Sequence, residues 1–272
     1  RQRIAGSSGT EYRTGIQPPV KGGRNHYSRF NMKAMIFAAG LGTRLKPLTD
    51  TMPKALVPVA GKPLLWHAIQ KLKGAGVDEI IINVHHFADQ IRQYIEENSR
   101  FDIRIEFSDE SQALLDTGGG IKRASWFFDD GKPFLIHNVD ILSDVDLLQF
   151  YRFHADSHSL ATLLVSERKT SRYLLFDREN RLTGWLNEAT GEIKSPFPEL
   201  QRDACKKLAF SGIHILHPSI LKYMEEFPER FSIIDFYLTI CKYCPIAGYA
   251  PAGVKSIDVG KIDSLKQLTF IK

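Results

Sequence analysis

The chain is short of cysteine, and that shortage is the first constraint. Only Cys205, Cys241 and Cys244 occur in 272 residues. An odd, small number of thiols makes no disulfide framework, which suits a reducing, cytoplasmic setting. Cys241 and Cys244 form a C-x-x-C, but a zinc site needs more ligands nearby, and two buried thiols at i, i+3 on a helix face are the simpler reading. Long hydrophobic runs are also missing. No uncharged apolar stretch approaches the roughly 18 residues of a membrane span, so no membrane partner is expected. Nor is there a basic excess in the body of the chain. Lys and Arg number 36 against 31 Asp and Glu, but residues 1–31 hold six of the cations and one acid, Glu11, which leaves 30 of each in 32–272. A balanced body does not point to nucleic acid as a partner. Hexapeptide repeats are absent, which excludes a β-helical solenoid from these residues.

What is present is an ordinary globular composition, 43% hydrophobic and 25% charged, enough to bury one sizeable core. Residues 1–31 are rich in Gly, Ser and Pro with little periodicity, and are expected to be a flexible leader or appended segment. From residue 32 onward strand and helix patterns alternate. Strands are expected at 33–38, 78–84, 103–107 and 133–140, with helices at 63–73, 88–99, 118–130 and 145–157 between and after them. That alternation predicts an α/β fold: a Rossmann-like, mainly parallel mixed sheet with helices on both faces. Short strands then follow at "LATLLVS", "RYLLFD", "RLTGWLN" and "LAFSGIHIL", which read as a small antiparallel extension. Helices at about 218–226 and 232–243, a strand at "VKSIDVG" and a closing helix at "KIDSLKQLTFI" complete one domain over 32–272.

The stretch "MIFAAGLGTRLKPLTDTMPKAL" (35–56) leaves a charge-free strand for a loop with two glycines, then places Arg44 and Lys54 around it. In a parallel sheet, ligands bind beyond the carboxyl ends of the strands. Glycines there let backbone amides approach a phosphate, while Arg supplies a fork of donors and Lys a point charge. Two familiar phosphate loops do not match. Walker A is absent, and the dinucleotide fingerprint fails because Leu45 stands where its third glycine belongs.

The segment "MKAMIFAAGLGTRLKPLTDTMPKALVPVAGKPLL" (32–65) resembles the signature of the sugar-1-phosphate nucleotidyltransferases, G-x-G-T-R followed by P-K. "LLDTGGGIKRA" (114–124) resembles that family's nucleoside-contacting loop and "FLIHNVDIL" (134–142) the strand ending in a metal-binding Asp. "FSGIHILHP" (210–218) resembles the sugar-side strand, and "SIDVGK" (256–261) the turn with a second metal-binding Asp. The islands run in family order over nearly all of 32–272. They are most similar to the short bacterial branch that includes N-acetylmuramate-1-phosphate uridylyltransferases and mannose-1-phosphate guanylyltransferase-like proteins.

The resemblance implies attack of a sugar 1-phosphate on the α-phosphorus of a nucleoside triphosphate, giving an NDP-sugar and pyrophosphate. The nucleophile is already an anion, so the obstacle is to hold two polyanions together and stabilise charge as the bond breaks. It implies that Arg44 and Lys54 are the catalytic cations. Ala38, Ala39, Gly40, Leu41, Gly42, Thr43, Thr117 and Gly118 would bind the nucleotide, and Asp140 and Asp258 would hold Mg2+. Asn187, Glu188 and Gly212 fall on the sugar-phosphate side. Asp109 or Glu110 is a candidate for the base, and the spacing selects neither. There are departures from the pattern: Val139 replaces a common Gly, Lys261 a common Thr, and Asp116 a Glu. "LNE" lacks the usual sugar-phosphate Lys, which leaves Arg172 and Lys194 as substitutes.

The preferred expectation is UTP with N-acetylmuramate 1-phosphate or a related hexose 1-phosphate. GTP with mannose or heptose 1-phosphate is an alternative, as is CTP with phosphocholine. The last needs an aromatic cage, for which Tyr173, Trp185 and Phe210 are candidates. A sugar-nucleotide-binding regulatory subunit that has lost the chemistry is the reading from another class. The expected partners are small molecules, with the protein a monomer or small homo-oligomer. His85, His86 and His137 are read as satisfied polar groups near a cleft rim, not as metal ligands.

Overall fold

A computed structural model describes residues 31–260. The leader up to residue 30, the expected closing helix over 261–271 and Lys261 lie outside the described residues.

The fold grows from strands that carry apolar side chains on both faces. Strand β1 (Met32–Phe37) is followed by a short hairpin of β2 (Pro58–Val59) and β3 (Lys62–Pro63), then α1 (Leu64–Gly74), β4 (Val77–Val84), α2 (Ala88–Glu97) and β5 (Arg104–Asp109). Next come α3 (Asp116–Arg123), β6 (Phe134–Asn138), β7 (Ile141–Ser143) and α4 (Leu147–Asp156). In β1, β4 and β6, Ile36, Ile80, Ile82 and Leu135 enter one core, whereas Met35, Ile81, Phe134 and Ile136 enter another. Successive side chains of a strand point to opposite faces, so strands covered on both sides read as largely apolar runs, with charge here only at Lys33 in β1 and at Asp78 and Glu79 at the start of β4. Leu65 and Ile69 of α1, Ile91 of α2 and Phe150 of α4 fill the first core. Ile121 of α3 fills the second.

The second half runs β8 (Ala161–Ser166), β9 (Arg172–Phe176), β10 (Leu182–Asn187), β11 (Glu192–Lys194), β12 (Lys206–Leu216), α5 (Ile220–Met224), α6 (Ile233–Ile240), β13 (Ile246–Tyr249) and β14 (Ser256–Asp258). The main sheet has the order β11-β10-β9-β12-β6-β1-β4-β5, with β8 pairing β12 and β13. β1 is parallel to β4 and β6, and β4 to β5. β12 runs antiparallel to β6, β8 and β9. β9, β10 and β11 form the antiparallel extension. The expected α/β architecture, parallel in its first half and mainly antiparallel beyond, where β13 pairs with β8 in parallel, is therefore the one found.

Three differences have local causes. The helix expected over 118–130 begins at Asp116, takes its three glycines into its own turns and stops at Arg123. Residues 125–127 form a separate 3-10 turn, with Phe127 and Phe128 folded into the second core. β7 and β11 are three residues each, too short for a pattern. β13, four residues long, carries Gly248 because a Cβ there would come within 2.8 Å of the Phe176 ring.

Candidate active site

The carboxyl ends of β1, β4, β5 and β6 open into a cavity of about 370 Å³ whose lining includes Ala38, Ala39, Gly40, Lys54, Thr117 and Asp140. The loop after β1 is shaped by a close approach. Gly42 has φ 65°, and a Cβ on it would lie 2.8 Å from Thr49 Cγ2 and 3.0 Å from Lys54 Cβ. Only glycine combines that left-handed backbone with that contact at no steric cost. Thr49 Oγ1 closes the loop by donating to the Gly42 carbonyl at 2.9 Å. The result presses the glycine loop against the segment that carries Lys54. Leu41, Thr43 and Arg44 stay exposed, while Leu45 anchors the turn in the core.

Asp140 and Asp258 come from sequence positions far apart, and the short β7–β14 ladder unites them. Asp258 pairs with Ile141 across it, and the Val259 amide donates to the Asp140 carbonyl at 2.8 Å. Gly260 then lies in a cradle of charge. A Cβ there would sit 2.7 Å from Asp258 Oδ1, 2.9 Å from an Arg44 guanidinium nitrogen and 3.0 Å from Asp140 Oδ2. Lys54 Nζ donates to Asp140 Oδ2, and both side chains are mostly buried. Four of the expected site residues thus converge on one point. Asp140 lines the cavity and Asp258 lies beside it at Gly260, and two hard carboxylate donors so placed would suit Mg2+, which is commonly held by one or two carboxylates with substrate oxygens and water completing its shell. Among the described residues there is no cluster of three or more metal-ligating side chains that would suit a softer ion.

On the side expected to take the nucleoside, the amides of Ala38 and Ala39 both donate to Asn83 Oδ1, at 2.7 and 3.3 Å. Asn83 Nδ2 donates to Glu110 Oε1 at 2.8 Å, and the Leu115 amide donates to Glu110 Oε2 at 3.1 Å. Asn83 is 2% exposed and Glu110 1%, so the chain of bonds ties the ends of β1, β4 and β5 to the start of α3 inside the protein. Burial raises the Glu110 carboxyl above its ordinary value, against hydrogen bonds from Asn83 and Leu115 that oppose the shift. Of the two acids proposed for the base, Glu110 lines the cavity. Asp109 points outward to Arg92 at 2.7 Å, and hydrogen bonds from Ser111 together with Arg92 hold it low.

Thr117 lines the cavity, and its hydroxyl accepts from the Ile233 amide at 3.0 Å. Gly118 lies behind it, with its own amide already bonded to the Phe231 carbonyl at 2.9 Å. All three glycines of α3 are under close neighbours. A Cβ would meet the Phe231 ring at 2.2 Å from Gly118, the Glu229 carbonyl at 2.1 Å from Gly119, and Glu110 Oε1 at 2.9 Å from Gly120. This packing brings Arg230 into the cavity lining, a cation that sequence reasoning missed. It lies 113 residues from Thr117 in a loop with no motif, and the only signal for it was the triple glycine, which requires something to press on α3. Asn83 and Asn138, also in the lining, were missed as well.

The sugar-side candidates separate. Asn187 lines a second cavity of about 510 Å³ on the antiparallel extension, together with Arg172 and Lys194. Glu188 is outside that lining and pairs with Lys207 at 2.6 Å on the surface. Gly212 sits in the irregularity of β12 between the two cavities, with φ 71° and a hypothetical Cβ 2.7 Å from Asn138 Nδ2. Tyr173, Trp185 and Phe210 do converge on the second cavity. However, Lys194 Nζ lies 5.3 Å from the Trp185 ring centre and Lys207 Nζ 5.8 Å from that of Tyr173.

His137 is buried, with Nδ1 2.9 Å from the Asn138 carbonyl, and desolvation pulls it down to about 4, so it stays neutral. His85 Nδ1 contacts the Glu110 carbonyl at 2.6 Å. Burial pushes the Cys241 thiol up to about 11, as a buried, unreactive cysteine should behave. No helix among the described residues is long and apolar enough to cross a membrane.

A family model described as nucleotidyl transferase matches residues 33–269. The N-acetylmuramate alpha-1-phosphate uridylyltransferase of Caulobacter vibrioides is 33% identical over 227 residues, covering 81% of this chain and 89% of that protein. The enzyme of the same name from Neisseria meningitidis is 47% identical over 116 residues, covering 42% of this chain and 49% of that protein. The chain spans about half the length of several other curated relatives that it matches. Among solved structures, a putative glucose-1-phosphate thymidylyltransferase from Bacillus anthracis superposes with a TM-score of 0.73 at 18% identity, covering 87% of this chain and 93% of that one, a likeness of fold.

Proposed function

The chain belongs to the nucleotidyl transferase family, and on that premise we propose that it transfers a nucleotidyl group from a nucleoside triphosphate to a sugar 1-phosphate. The convergence of Arg44, Lys54, Asp140 and Asp258 around Gly260 carries the proposal. A phosphate oxygen of the sugar 1-phosphate attacks the α-phosphorus. The bond from that phosphorus to the bridging oxygen breaks, and pyrophosphate leaves. No proton needs to be removed, so the side chains act by position and charge.

Arg44, exposed on the glycine loop and free of ion pairs among the described residues, suits the leaving pyrophosphate, which its planar fork can bind through two oxygens. Lys54, held in the cleft by Asp140, suits the α-phosphate region where the two anions meet. Gly40, with open space at its Cβ position, lets the nucleotide lie against backbone. Asp140 and Asp258 would hold Mg2+, which when bound neutralises phosphate oxygens by direct coordination.

UTP with N-acetylmuramate 1-phosphate is the favoured pair, supported by the likeness to the Caulobacter and Neisseria proteins, and it would place the enzyme in cytoplasmic cell-wall sugar metabolism. Phosphocholine is disfavoured because ammonium groups of this chain already lie by the faces of Trp185 and Tyr173, where a choline would have to bind. The regulatory reading is disfavoured because all four charged residues are in place.

The test is pyrophosphate release with Mg2+, using UTP, GTP, CTP and dTTP, each crossed with a panel of sugar 1-phosphates and phosphocholine. Release with UTP and N-acetylmuramate 1-phosphate supports the full proposal. Release with a different pair keeps the chemistry and replaces the substrates. No release with any pair, alongside measurable NDP-sugar binding, would favour the regulatory subunit.

A further inference from the structure

The cavity at the carboxyl ends of β1, β4, β5 and β6 has two cations in its lining, Lys54 and Arg230. They stand at different sides of it. Sheet order puts β6, which leads into Asp140, on one side and β5, which leads into Glu110, on the other, with β1 and β4 between them. Three strand spacings of about 4.8 Å make that width roughly 14 Å. Lys54 is bound to Asp140 on the β6 side. Arg230 belongs to the β5 side. The segment that carries it is packed on α3, and Gly120 of α3 lies against Glu110, Asn83 and Phe37.

That segment is clamped along its backbone. The Phe231 amide donates to the Leu115 carbonyl at 3.3 Å, and the Phe231 carbonyl accepts from the Gly118 and Gly119 amides at 2.9 and 3.3 Å. Two residues on, the Ile233 amide donates to the Thr117 hydroxyl at 3.0 Å. The Glu229 carbonyl packs on Gly119 and the Phe231 ring on Gly118. Arg230, between them, turns its side chain to the cavity instead. It is exposed and has no carboxylate partner among the described residues. Asp116, an acid of the same lining, is occupied by its own turn, where Oδ1 accepts from the Thr117 amide at 2.6 Å and from its hydroxyl at 3.3 Å. Asn83 and Glu110 are bonded to each other and to backbone amides. The free polar group on this side is therefore a guanidinium held at the rim by a fixed backbone.

We infer that Arg230 is a nucleoside-binding residue whose guanidinium lies flat on the face of the base and closes the cavity on its β5 side. The inference rests on the nucleotidyl-transfer reading of this cavity. Lys54 and the Asp140–Asp258 pair draw the phosphates to the β6 side, so a nucleotide stretched along the strand ends brings its base to Arg230. A guanidinium is planar, delocalised and weakly hydrated, and it stacks on ring faces. Every base has such a face. Arg230 then supplies affinity for the nucleoside and leaves the choice of base to groups at the base's edge.

The test separates plane from charge. Calorimetry compares the wild type with Arg230→Ala, Arg230→Lys and Arg230→Tyr, using UTP and UMP, and GTP and GMP. Arg230→Ala is expected to weaken the triphosphate and its monophosphate by the same factor, roughly 5- to 100-fold, the range for removing a stacking partner from a base. Arg230→Tyr keeps a plane without the charge and should recover most of the loss. Arg230→Lys keeps the charge without the plane and should recover little. In pyrophosphate release, Arg230→Ala should raise KM for the triphosphate with kcat unchanged within about threefold, as for a contact made equally in the ground and transition states. Arg230 is exposed, so the variants should keep the wild-type Tm. A loss that grows from UMP to UTP and is rescued by Lys but not by Tyr would overturn the inference, because Arg230 would then be reading phosphate. An unchanged Kd in Arg230→Ala would overturn it too. Absence of pyrophosphate release from the wild type, with this pattern of affinities intact, would remove the transfer reading and leave the role of Arg230 in place. Failure of all four nucleotides to bind would overturn both.

Discussion

Reversing the polarity of the Asn83–Glu110 bond is a demanding test of how the proposed nucleotide cavity is held open. In the native arrangement Asn83 accepts from two amides and donates to Glu110, which also accepts from Leu115. Asn83→Asp keeps the acceptor for Ala38 and Ala39 but sets a carboxylate against the Glu110 carboxylate, where a 2.8 Å hydrogen bond had been. Glu110→Gln brings an NH2 group against either the Asn83 NH2 or the Leu115 amide. Each single change leaves a buried group without its partner and is expected to cost about 1–3 kcal/mol. For a domain of this size that is a fall in Tm of roughly 2–12 °C.

Combining Asn83→Asp with Glu110→Gln restores every bond with the donor reversed. The new amide at position 110 donates to the new carboxylate at position 83, and its carbonyl still accepts from Leu115. The double variant should recover most of the stability and the nucleotide affinity. Asn83→Asp alone should also gain a pH dependence. Two adjacent buried carboxylates share a proton, so the folded pair titrates above the unfolded carboxylate range of about 4. Between those values the folded state binds more protons than the unfolded one, and stability therefore falls as pH rises. Glu110 in the native protein, raised by burial, has the same sign at smaller size. Thermal unfolding between pH 5 and 8, with nucleotide titrations alongside, reads all of this. A double variant as damaged as the two singles summed would refute the reasoning.

Lys54→Ala should lower turnover by roughly 10²–10³, as loss of a transition-state donor does, with the fold unchanged by circular dichroism; a loss of less than about threefold would leave Lys54 a loop cation. Asp140→Asn should abolish Mg2+-dependent pyrophosphate release while leaving the protein folded, and retained release would rule out a metal role for that carboxylate. Gly118→Ala, which would place a methyl group 2.2 Å from the Phe231 ring, should displace the loop carrying Arg230, weaken nucleotide binding and cost about 1–3 kcal/mol; binding equal to wild type would separate that loop from the site.

The parallel half of the fold was legible because β1, β4 and β6 carry apolar runs buried on both faces, and the glycine loop because backbone demands are written in residue type. Asp140 and Asp258 were legible only through resemblance. What joins them is a three-residue ladder, too short to leave a periodicity. The choice between Asp109 and Glu110 could not be read from the sequence because strand alternation sends adjacent residues to opposite sides, and which side faces the cavity is decided by where β5 ends. Asn187 and Glu188 are neighbours in sequence but part in the structure, since a one-residue step at the end of β10 moves a side chain from the cavity to Lys207. Arg230 depends on a contact between distant segments.

Strand β12 passes both cavities in eleven consecutive residues, paired to β9 at one end and to β6 at the other, with Gly212 at the irregularity between them. On the proposed function, one stretch of main chain then acts as a ruler between the acceptor and the nucleotide. Covalent geometry is far stiffer than any side-chain contact, so the reach from one substrate to the other would be insulated from changes in either pocket. A lineage could exchange the residues that grip the sugar, or those that grip the base, and leave the distance over which the reaction occurs untouched.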